Sequence, residues 1–190
     1  MYLFFDTETT GLPKDYKAPA SDTDNWPRMV QIAWQIYDKN NELVESEVFI
    51  IKPEGFEIPA EAAKVHGITT EIATSKGVDL EKTLNKFREA MIKSDFLVAH
   101  NISFDEKIVG AEFIRKNIAR MPKKIIRIDT MVESTDYCKI PGKFGYKWPN
   151  LTELHVKLFG KAFQGAHDAL ADVIACSKCF FELKRLGVIK

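Results

Sequence analysis

The sequence has few cysteines and no excess of charge of either sign. Its three cysteines, Cys138, Cys176 and Cys179, are an odd number, and no second ligand pair accompanies the C-x-x-C spacing of the last two. This argues against a disulfide framework and a four-ligand zinc site, so we expect reduced thiols that pack in the interior. The 27 basic residues balance the 27 acidic residues, which removes any argument for nucleic-acid binding from net charge alone.

Long apolar runs, repeats and low-complexity segments are also missing. No apolar run approaches the roughly 18 residues that cross a membrane, so we expect no membrane partner. The first residues have neither the basic region nor the cleavage site of a signal peptide, which predicts a cytoplasmic protein. The length of 190 residues and the 45% hydrophobic share predict a single domain over residues 1–190 with a core of its own.

Charge is uneven locally. The segment 113–128 contains no acid and six basic residues, which are Arg115, Lys116, Arg120, Lys123, Lys124 and Arg127. A run of this kind is usually a solvated surface, although it can also contact a polyanion. Both interpretations stay open.

Apolar patterns predict five strands. Residues 29–37 alternate in character, a turn follows, and residues 43–51 continue the pattern, which predicts an antiparallel pair. The apolar character of a fourth strand at 96–100 suits a strand that is covered on both faces and pairs in parallel with a first strand at 2–6. A fifth strand is expected at 124–129.

Helical periodicity predicts helices between and after these strands, so the chain is expected to have an α/β fold. Polar residues before the helices and glycines after them supply caps. In order, the predicted segments are 60–74 with a cap at Gly67, a helix capped by Asp79, one opened by Asp105 with Glu112 on its packed face, 151–159, and 168–186, which stops at Gly187.

Two loops contain aromatic residues whose role stays open. Residues 13–28 include three prolines and Trp26, which either covers an edge of the core or stacks on a base. Cations between aromatic rings are typical of single-strand binding, but aromatic anchors that merely hold a loop in place are an equal alternative. Lysines alternate with aromatic residues in the second loop, residues 136–150, where Tyr137, Phe144, Tyr146 and Trp148 stand among Lys139, Lys143 and Lys147.

Two acids follow the apolar start of the first strand. Asp6 and Glu8 are separated by one residue, so their side chains point to the same face of a strand. Two like charges at that separation need a cation, and oxygen ligands favour Mg²⁺ or Mn²⁺. The alternative for an isolated D-x-E pattern is a solvated strand end.

Three further residues are candidates for the same site. Asp105 comes just past the fourth strand, and His167 and Asp172 bracket the start of the last helix. Singly, each has an ordinary structural explanation, since a histidine before a helix is often a surface residue and an Asp in a first turn complements the helix dipole.

Taken together, these segments resemble the motifs of the DEDD superfamily of 3′-to-5′ exonucleases, histidine subtype. FDTETTGL at 5–12 is similar to the first motif, VAHNISFD at 98–105 to the second, and HDALADV at 167–173 to the third, while VHGIT at 65–69 matches a recurrent segment between them. In size and layout the resemblance is to proofreading subunits of bacterial replicative polymerases and to ribonuclease T. The loops at 13–28 and 136–150 depart from the family.

The resemblance implies a ribonuclease H-like fold, a five-stranded mixed sheet of order 3-2-1-4-5 flanked by helices. It also implies two Mg²⁺ or Mn²⁺ ions at the carboxyl end of strand one, with His167 as the general base that prepares water. Two ions stabilise the attacking and leaving oxygens of a phosphoryl displacement, and a neutral imidazole accepts a proton near physiological pH. The implied metal ligands are Asp6, Glu8, Asp105 and Asp172.

Contacts to the terminal nucleotide are implied for six more positions. Leu12 resembles the family position whose side chain forms a wedge beside the terminal base. Phe104 is either a contact to the nucleotide or a core residue, and the two are equally plausible. The six positions are Thr7, Thr9, Leu12, His66, Asn101 and Phe104.

These features predict a metal-dependent exonuclease that removes nucleoside 5′-monophosphates from the 3′ end of single-stranded or frayed DNA. An exoribonuclease that trims RNA is an alternative, because motif spacing does not reveal contacts to the 2′-hydroxyl. A nucleic-acid-binding module tethered to a polymerase is another, although the presence of all five signature residues argues against a silent site. A polymerase is a possible partner.

Overall fold

The computed structural model describes residues 1–118, 122 and 124–190, and in these residues the main sheet has the predicted order β3-β2-β1-β4-β5. The strand β1 runs antiparallel to β2 and parallel to β4, so the mixed ribonuclease H-like sheet is confirmed. Arg120 and Lys123 of the basic run lie outside the described residues. The strands are β1 (Tyr2–Thr9), β2 (Met29–Tyr37), β3 (Leu43–Ile50), β4 (Phe96–Ala99) and β5 (Ile126–Asp129).

Helices flank this sheet, and a short hairpin lies between the sixth and the seventh of them along the chain. No helix in the described part of the chain is long and apolar enough to cross a membrane. The hairpin consists of β6 (Pro141–Gly142) and β7 (Gly145–Tyr146). The helices are α1 (Ala60–His66), α2 (Thr70–Lys76), α3 (Leu80–Lys93), α4 (Ile102–Arg115), α5 (Thr130–Glu133), α6 (Thr135–Cys138), α7 (Leu151–Phe159) and α8 (Ala169–Arg185).

Several predicted boundaries differ from the observed ones. The stretch 60–74 holds two helices, because Gly67 with φ 75° ends α1 and the side chain of Thr69 caps α2. The helix that Asp105 was expected to open begins at Ile102, after a left-handed residue at Asn101, so Asp105 lies in its first turn. The predicted loop 136–150 contains the end of α6 and the β6–β7 hairpin.

Side-chain alternation along β1 divides the core into two layers. Leu3 and Phe5 pack in a cluster with α3 and α4 on one face of the sheet, and Phe4 packs with α8 on the other. Because successive side chains of a strand point to opposite faces, Asp6 and Glu8 continue the Phe4 face. The strand therefore directs both acids to the side where α8 begins.

All three cysteines are free thiols in the interior, as the sequence predicts. Burial raises the pKa of each, and for Cys179 the pKa reaches about 12. A thiol with a raised pKa is a poor nucleophile and metal ligand. These residues therefore contribute packing to the layer between the sheet and α8.

A buried carboxylate anchors the proline-rich loop 13–28. Glu112 on α4 is fully buried and accepts hydrogen bonds from Nε of Arg28 at 2.8 Å and from the backbone N–H of Met29 at 3.0 Å. Arg115 pairs with the same carboxylate at 3.0 Å and also donates to the backbone carbonyl of Trp26 at 2.7 Å. Trp26 is buried in the core, so it covers the core edge, as one of the two interpretations proposed.

Candidate active site

The start of α8 brings His167 and Asp172 to the acids of β1. Asp168 caps the helix by accepting a hydrogen bond from the N–H of Ala171 at 3.0 Å, which leaves Asp172 in the first turn. His167 precedes the cap with a left-handed backbone, φ 70°. Its backbone N–H donates to Oδ2 of Asp172 at 3.0 Å, so the two residues are held together.

Glu8, His167 and Asp172 meet near the carboxyl end of β1. One potential ligand atom from each of them lies within 4.8 Å of the other two. Asp6 is adjacent, because it lines a cavity of about 210 Å³ together with His167 and Asp172. Residues from the two ends of the chain therefore form one polar site.

Asp105 reaches this site from α4 on the opposite face of the sheet. Its buried carboxylate accepts two hydrogen bonds from Thr7, one from the backbone N–H at 3.0 Å and one from the hydroxyl at 2.6 Å. Thr7 faces α4 because it alternates with Asp6 and Glu8 along β1. Thr7 was expected to contact substrate, and in this structure its hydroxyl hydrogen is used to hold Asp105.

The pKa values of all four carboxyl groups are raised, and burial is the largest cause for each. Burial, followed by the charges of Asp105, Asp172 and Glu8, raises the pKa of Asp6 well above its usual value. Burial and the nearby Asp172 charge raise the pKa of Glu8 to about 8. The pKa of Asp105 is raised to about 7 and that of Asp172 to about 6, in both cases mainly by burial.

This donor set fits a hard divalent cation. Buried carboxylates that repel one another hold protons near neutral pH unless positive charge compensates them. Carboxylate oxygens are the ligands that Mg²⁺ and Mn²⁺ prefer. Asp6, Glu8, Asp105 and Asp172 would hold such ions. The imidazole of His167 lies in the same group, within reach of a water molecule beside the acids.

Three of the predicted nucleotide contacts lie around the end of β1. The hydroxyl of Thr9 donates to the carbonyl of Gly11 at 2.7 Å and shapes the turn that leads to Leu12, which is 74% exposed. Burial lowers the pKa of His66, the backbone of Thr9 opposes that shift, and the charge of His167 adds to it. Their contacts to substrate stay predictions.

The other two predicted contacts, Asn101 and Phe104, lie where α4 begins. Both line a second cavity, of about 300 Å³. Phe104 is half-buried and packs against the core, with its ring 6.4 Å from that of Trp26. It therefore contributes to the core and to the cavity wall at the same time.

The sequence did not identify Gln31, a buried residue of β2 that pairs directly with Glu8 across the sheet. Its Oε1 accepts a hydrogen bond from the N–H of Ala169 at 3.0 Å, and its Nε2 donates to Oδ2 of Asp168 at 3.4 Å. Gln31 thus ties the N-terminus of α8 to the strand beside Glu8. The available signal was a polar residue on a strand whose two faces are both covered.

Comparison with known proteins decides the family. The sequence model of an exonuclease family, RNase_T, matches residues 3–180. The chain belongs to this exonuclease family. The resemblance to DEDD exonucleases, drawn from four short motifs, is therefore confirmed over nearly the whole chain.

Relatives of this exonuclease domain are DNA polymerase III proteins. The subunit epsilon of Treponema pallidum is 25% identical over 181 residues, 94% of this chain and 74% of the relative. The epsilon-like protein of Rhodobacter capsulatus is 31% identical over 189 residues, 96% of this chain and 23% of the relative. A PolC-type polymerase III of Streptococcus pneumoniae is 29% identical over 180 residues, and the match spans 95% of this chain but 11% of the relative.

Solved structures of E. coli exonuclease I share the fold of this domain. The complex of that enzyme with a dT13 oligonucleotide matches with a TM-score of 0.75 and 24% identity, over 98% of this chain and 42% of that chain. At this identity the likeness supports the ribonuclease H-like fold alone.

Replacing Gln31 by Leu tests whether the exonuclease site depends on the anchor of α8. The change keeps the side-chain size and removes both hydrogen bonds, so His167 and Asp172 lose their registration with Glu8. We expect kcat to fall about 10- to 100-fold with KM little changed, the usual result of a small misplacement.

The matched control is Gln35→Leu. Gln35 is buried on the same face of β2, and its hydrogen bonds go to Ser46 at 3.2 Å and Tyr37 at 2.9 Å. Steady-state measurements of kcat and KM for both variants make the comparison, and Gln35→Leu should keep a nearly normal kcat. Equal losses in the two variants would show that any buried glutamine of β2 matters only for stability.

Divalent cations should stabilise the protein more as pH rises. Without metal, the raised pKa values of Glu8 (about 8), Asp105 (about 7) and Asp172 (about 6) mean that the folded state retains protons. Stability is therefore lost as pH rises through these values, and a bound cation removes that loss. Thermal melts between about pH 5.5 and 9, with Mg²⁺ or with chelator, measure the difference in Tm.

Glu8→Gln supplies the comparison for that experiment. It removes the carboxylate with a pKa of about 8. The Tm difference between Mg²⁺ and chelator should therefore rise less above neutral pH in this variant than in the unmodified protein. A Tm shift that is the same at every pH in the unmodified protein contradicts the expectation.

Proposed function

We propose that this chain hydrolyses phosphodiester bonds from the 3′ end of single-stranded or frayed DNA and releases nucleoside 5′-monophosphates, with two Mg²⁺ or Mn²⁺ ions. One observation carries the proposal. In a chain of the exonuclease family, Glu8, Asp172 and His167 meet at the end of β1, and the charges of Asp105, Asp172 and Glu8 all act on the neighbouring carboxyl group of Asp6.

The residues divide the chemistry between binding and proton transfer. Asp6, Glu8, Asp105 and Asp172 would hold the ions, which when bound would supply charge stabilisation to the attacking and leaving oxygens. His167 accepts a proton from the attacking water, for which its position within 4.8 Å of Glu8 and Asp172 is suitable. As the new P–O bond forms, the bond from phosphorus to the 3′ oxygen of the preceding nucleotide breaks, and that oxygen takes a proton from solvent.

The surroundings of the acids support attack at a terminal nucleotide. Leu12 is exposed directly after the turn that ends β1, where it would wedge beside the terminal base. The backbone of Thr9 and the charge of His167 both affect the pKa of His66, which indicates that His66 is near the end of β1. A strand end fits between such groups more readily than the middle of a duplex.

DNA and a polymerase partner are supported by the relatives. Their names are those of DNA polymerase III proteins, and exonuclease I of E. coli has been crystallised with a dT13 oligonucleotide. We propose DNA as the preferred substrate on this basis. A polymerase is the partner with which such a chain would act.

A comparison of linear and circular single strands tests the proposal. The protein should shorten a linear oligodeoxynucleotide from its 3′ end in the presence of Mg²⁺, and a circle of the same sequence should persist. Nicking of the circle at a comparable rate would contradict an exonuclease. Faster digestion of the matched RNA strand would instead assign the site to RNA trimming.

A further inference from the structure

The two loops that depart from the family motifs meet at the second cavity, which is outside the carboxylate cluster. Tyr16 and Trp26 come from loop 13–28, and Trp148 comes from the segment after the β6–β7 hairpin. They surround Asn101 and Phe104 of the second motif in a space of about 300 Å³. Both loops thus have a common place in the structure.

This cavity has an aromatic floor and an aromatic rim. Trp26 is buried and Phe104 half-buried, and together they form the floor. Tyr16 is 53% exposed and Trp148 is 65% exposed, so both rings stand at the opening. The Tyr16 ring lies 6.5 Å from that of Phe104. Large flat side chains exposed around an opening provide faces on which a planar ring can stack.

The charges favour a base inside the cavity and a phosphate outside it. Asp129 lines the interior, where its carboxylate accepts hydrogen bonds from the backbone N–H groups of Asn101 at 2.9 Å and Met131 at 3.0 Å. An acid at this place repels a phosphate. Lys107 does not line the cavity but contacts two residues that do, with Nζ 5.1 Å from the Trp26 ring and 2.6 Å from the Tyr16 carbonyl that it donates to.

One segment of chain connects the lining of this cavity with the lining of the carboxylate site. Trp148 lines the aromatic cavity, and Asn150 and Leu151 line the cavity that contains Asp6 and His167. Between them, the carbonyl of Pro149 is 2.9 Å from Nε2 of His100. The other ring nitrogen of His100, Nδ1, is 3.0 Å from the hydroxyl of Thr130. His100 therefore joins this segment to the start of α5.

We propose that the aromatic cavity binds a nucleobase of the single strand upstream of the terminal nucleotide, stacked against Trp148 and Tyr16. This inference rests on the proposed exonuclease function and names residues of this chain's own loops as part of its substrate site. Stacking on an aromatic ring accepts every base. The cavity therefore adds affinity for a single strand without sequence preference.

Two substrates of different length test the role of Trp148. One is an oligodeoxythymidylate, and the other is the p-nitrophenyl ester of thymidine 5′-monophosphate, which has no upstream base. Trp148→Ala should raise KM for the oligonucleotide about tenfold, from the loss of one stacked base. Its turnover and KM for the ester should stay unchanged, which also shows that the variant is folded.

Trp148→Phe and Tyr146→Ala serve as matched variants. The first retains a ring and should restore most of the oligonucleotide affinity. The second removes a hairpin aromatic that is 50% exposed and does not line the cavity, so KM should not change. Equal effects of Trp148→Ala on ester and oligonucleotide, or equal effects of Tyr146→Ala and Trp148→Ala, would overturn the proposal.

An abasic scan identifies the bound base. Single abasic sites are placed at successive positions from the 3′ end, and one position should reproduce the tenfold rise in KM. In Trp148→Ala that position should cause no further loss, because the stacking partner is already gone. A flat scan, or losses that multiply in the variant, would overturn the assignment. Failure of the proposed function itself is distinct, since the unmodified protein would then hydrolyse neither substrate.

Discussion

Asp6→Asn and Asp172→Asn should each abolish hydrolysis at the 3′ end while the chain remains folded. A neutral amide cannot hold a divalent cation as a carboxylate does, although it has nearly the same shape. Loss of one such ligand removes several kcal/mol of charge stabilisation, which corresponds to a fall in kcat of about 10³-fold or more. Single-turnover digestion of a 3′-labelled strand measures it.

Stability separates loss of metal binding from loss of fold. Burial and neighbouring acids raise the pKa of Asp6, so removing its charge relieves repulsion, and the metal-free Asp6→Asn protein should melt no lower than the unmodified protein. In Asp172→Asn the amide oxygen can still accept the N–H of His167. Asp136→Asn, at an exposed position in the first turn of α6, is the control and should digest normally. Full activity in folded Asp6→Asn would remove this residue from the metal site.

His167→Ala should lower kcat by about 10²- to 10⁴-fold, the usual contribution of a positioned base. Affinity for a 3′-ended strand should change little, because the carboxylates that hold the metal ions remain. The left-handed backbone at this position, φ 70°, complicates the Ala variant. Asn adopts this conformation more readily than Ala, so His167→Asn keeps the backbone and lacks the base.

Comparison of these two variants separates the side chain from the backbone. If both lose kcat to the same extent, the imidazole is responsible. If His167→Asn retains near-normal turnover, the left-handed turn before α8 is what matters, and the assignment of a base is wrong. The pH profile alone would not decide, because binding of the metal ions by Glu8, Asp105 and Asp172, whose pKa values are raised without metal, also depends on pH.

Added imidazole provides an independent measurement. His167 lies on an exposed segment, so a small base has access to the place that its side chain leaves. Imidazole in the buffer should restore part of the activity of His167→Ala and none of that of Asp6→Asn. An equal response of both variants would indicate a general solvent effect.

The sequence by itself determined the sheet and which acids are candidates for the site. Alternation and turn signals place a strand at each of the five positions, and the motifs supply the order in which these strands pair. Asp6 and Glu8 share a face because a strand repeats every two residues. Such properties depend on near neighbours in the chain, and they are readable without coordinates.

Only the tertiary structure decided how the acids are held. Thr7 bonds to Asp105 across 98 positions of sequence, and Gln31 bonds to Ala169 across 138. Neither partner follows from local periodicity, because each hydrogen bond exists only after two elements have packed. The same holds for the aromatic residues of the two loops. Trp26 and Trp148 look alike in sequence, but packing against α4 buries one and leaves the other at the opening of a cavity.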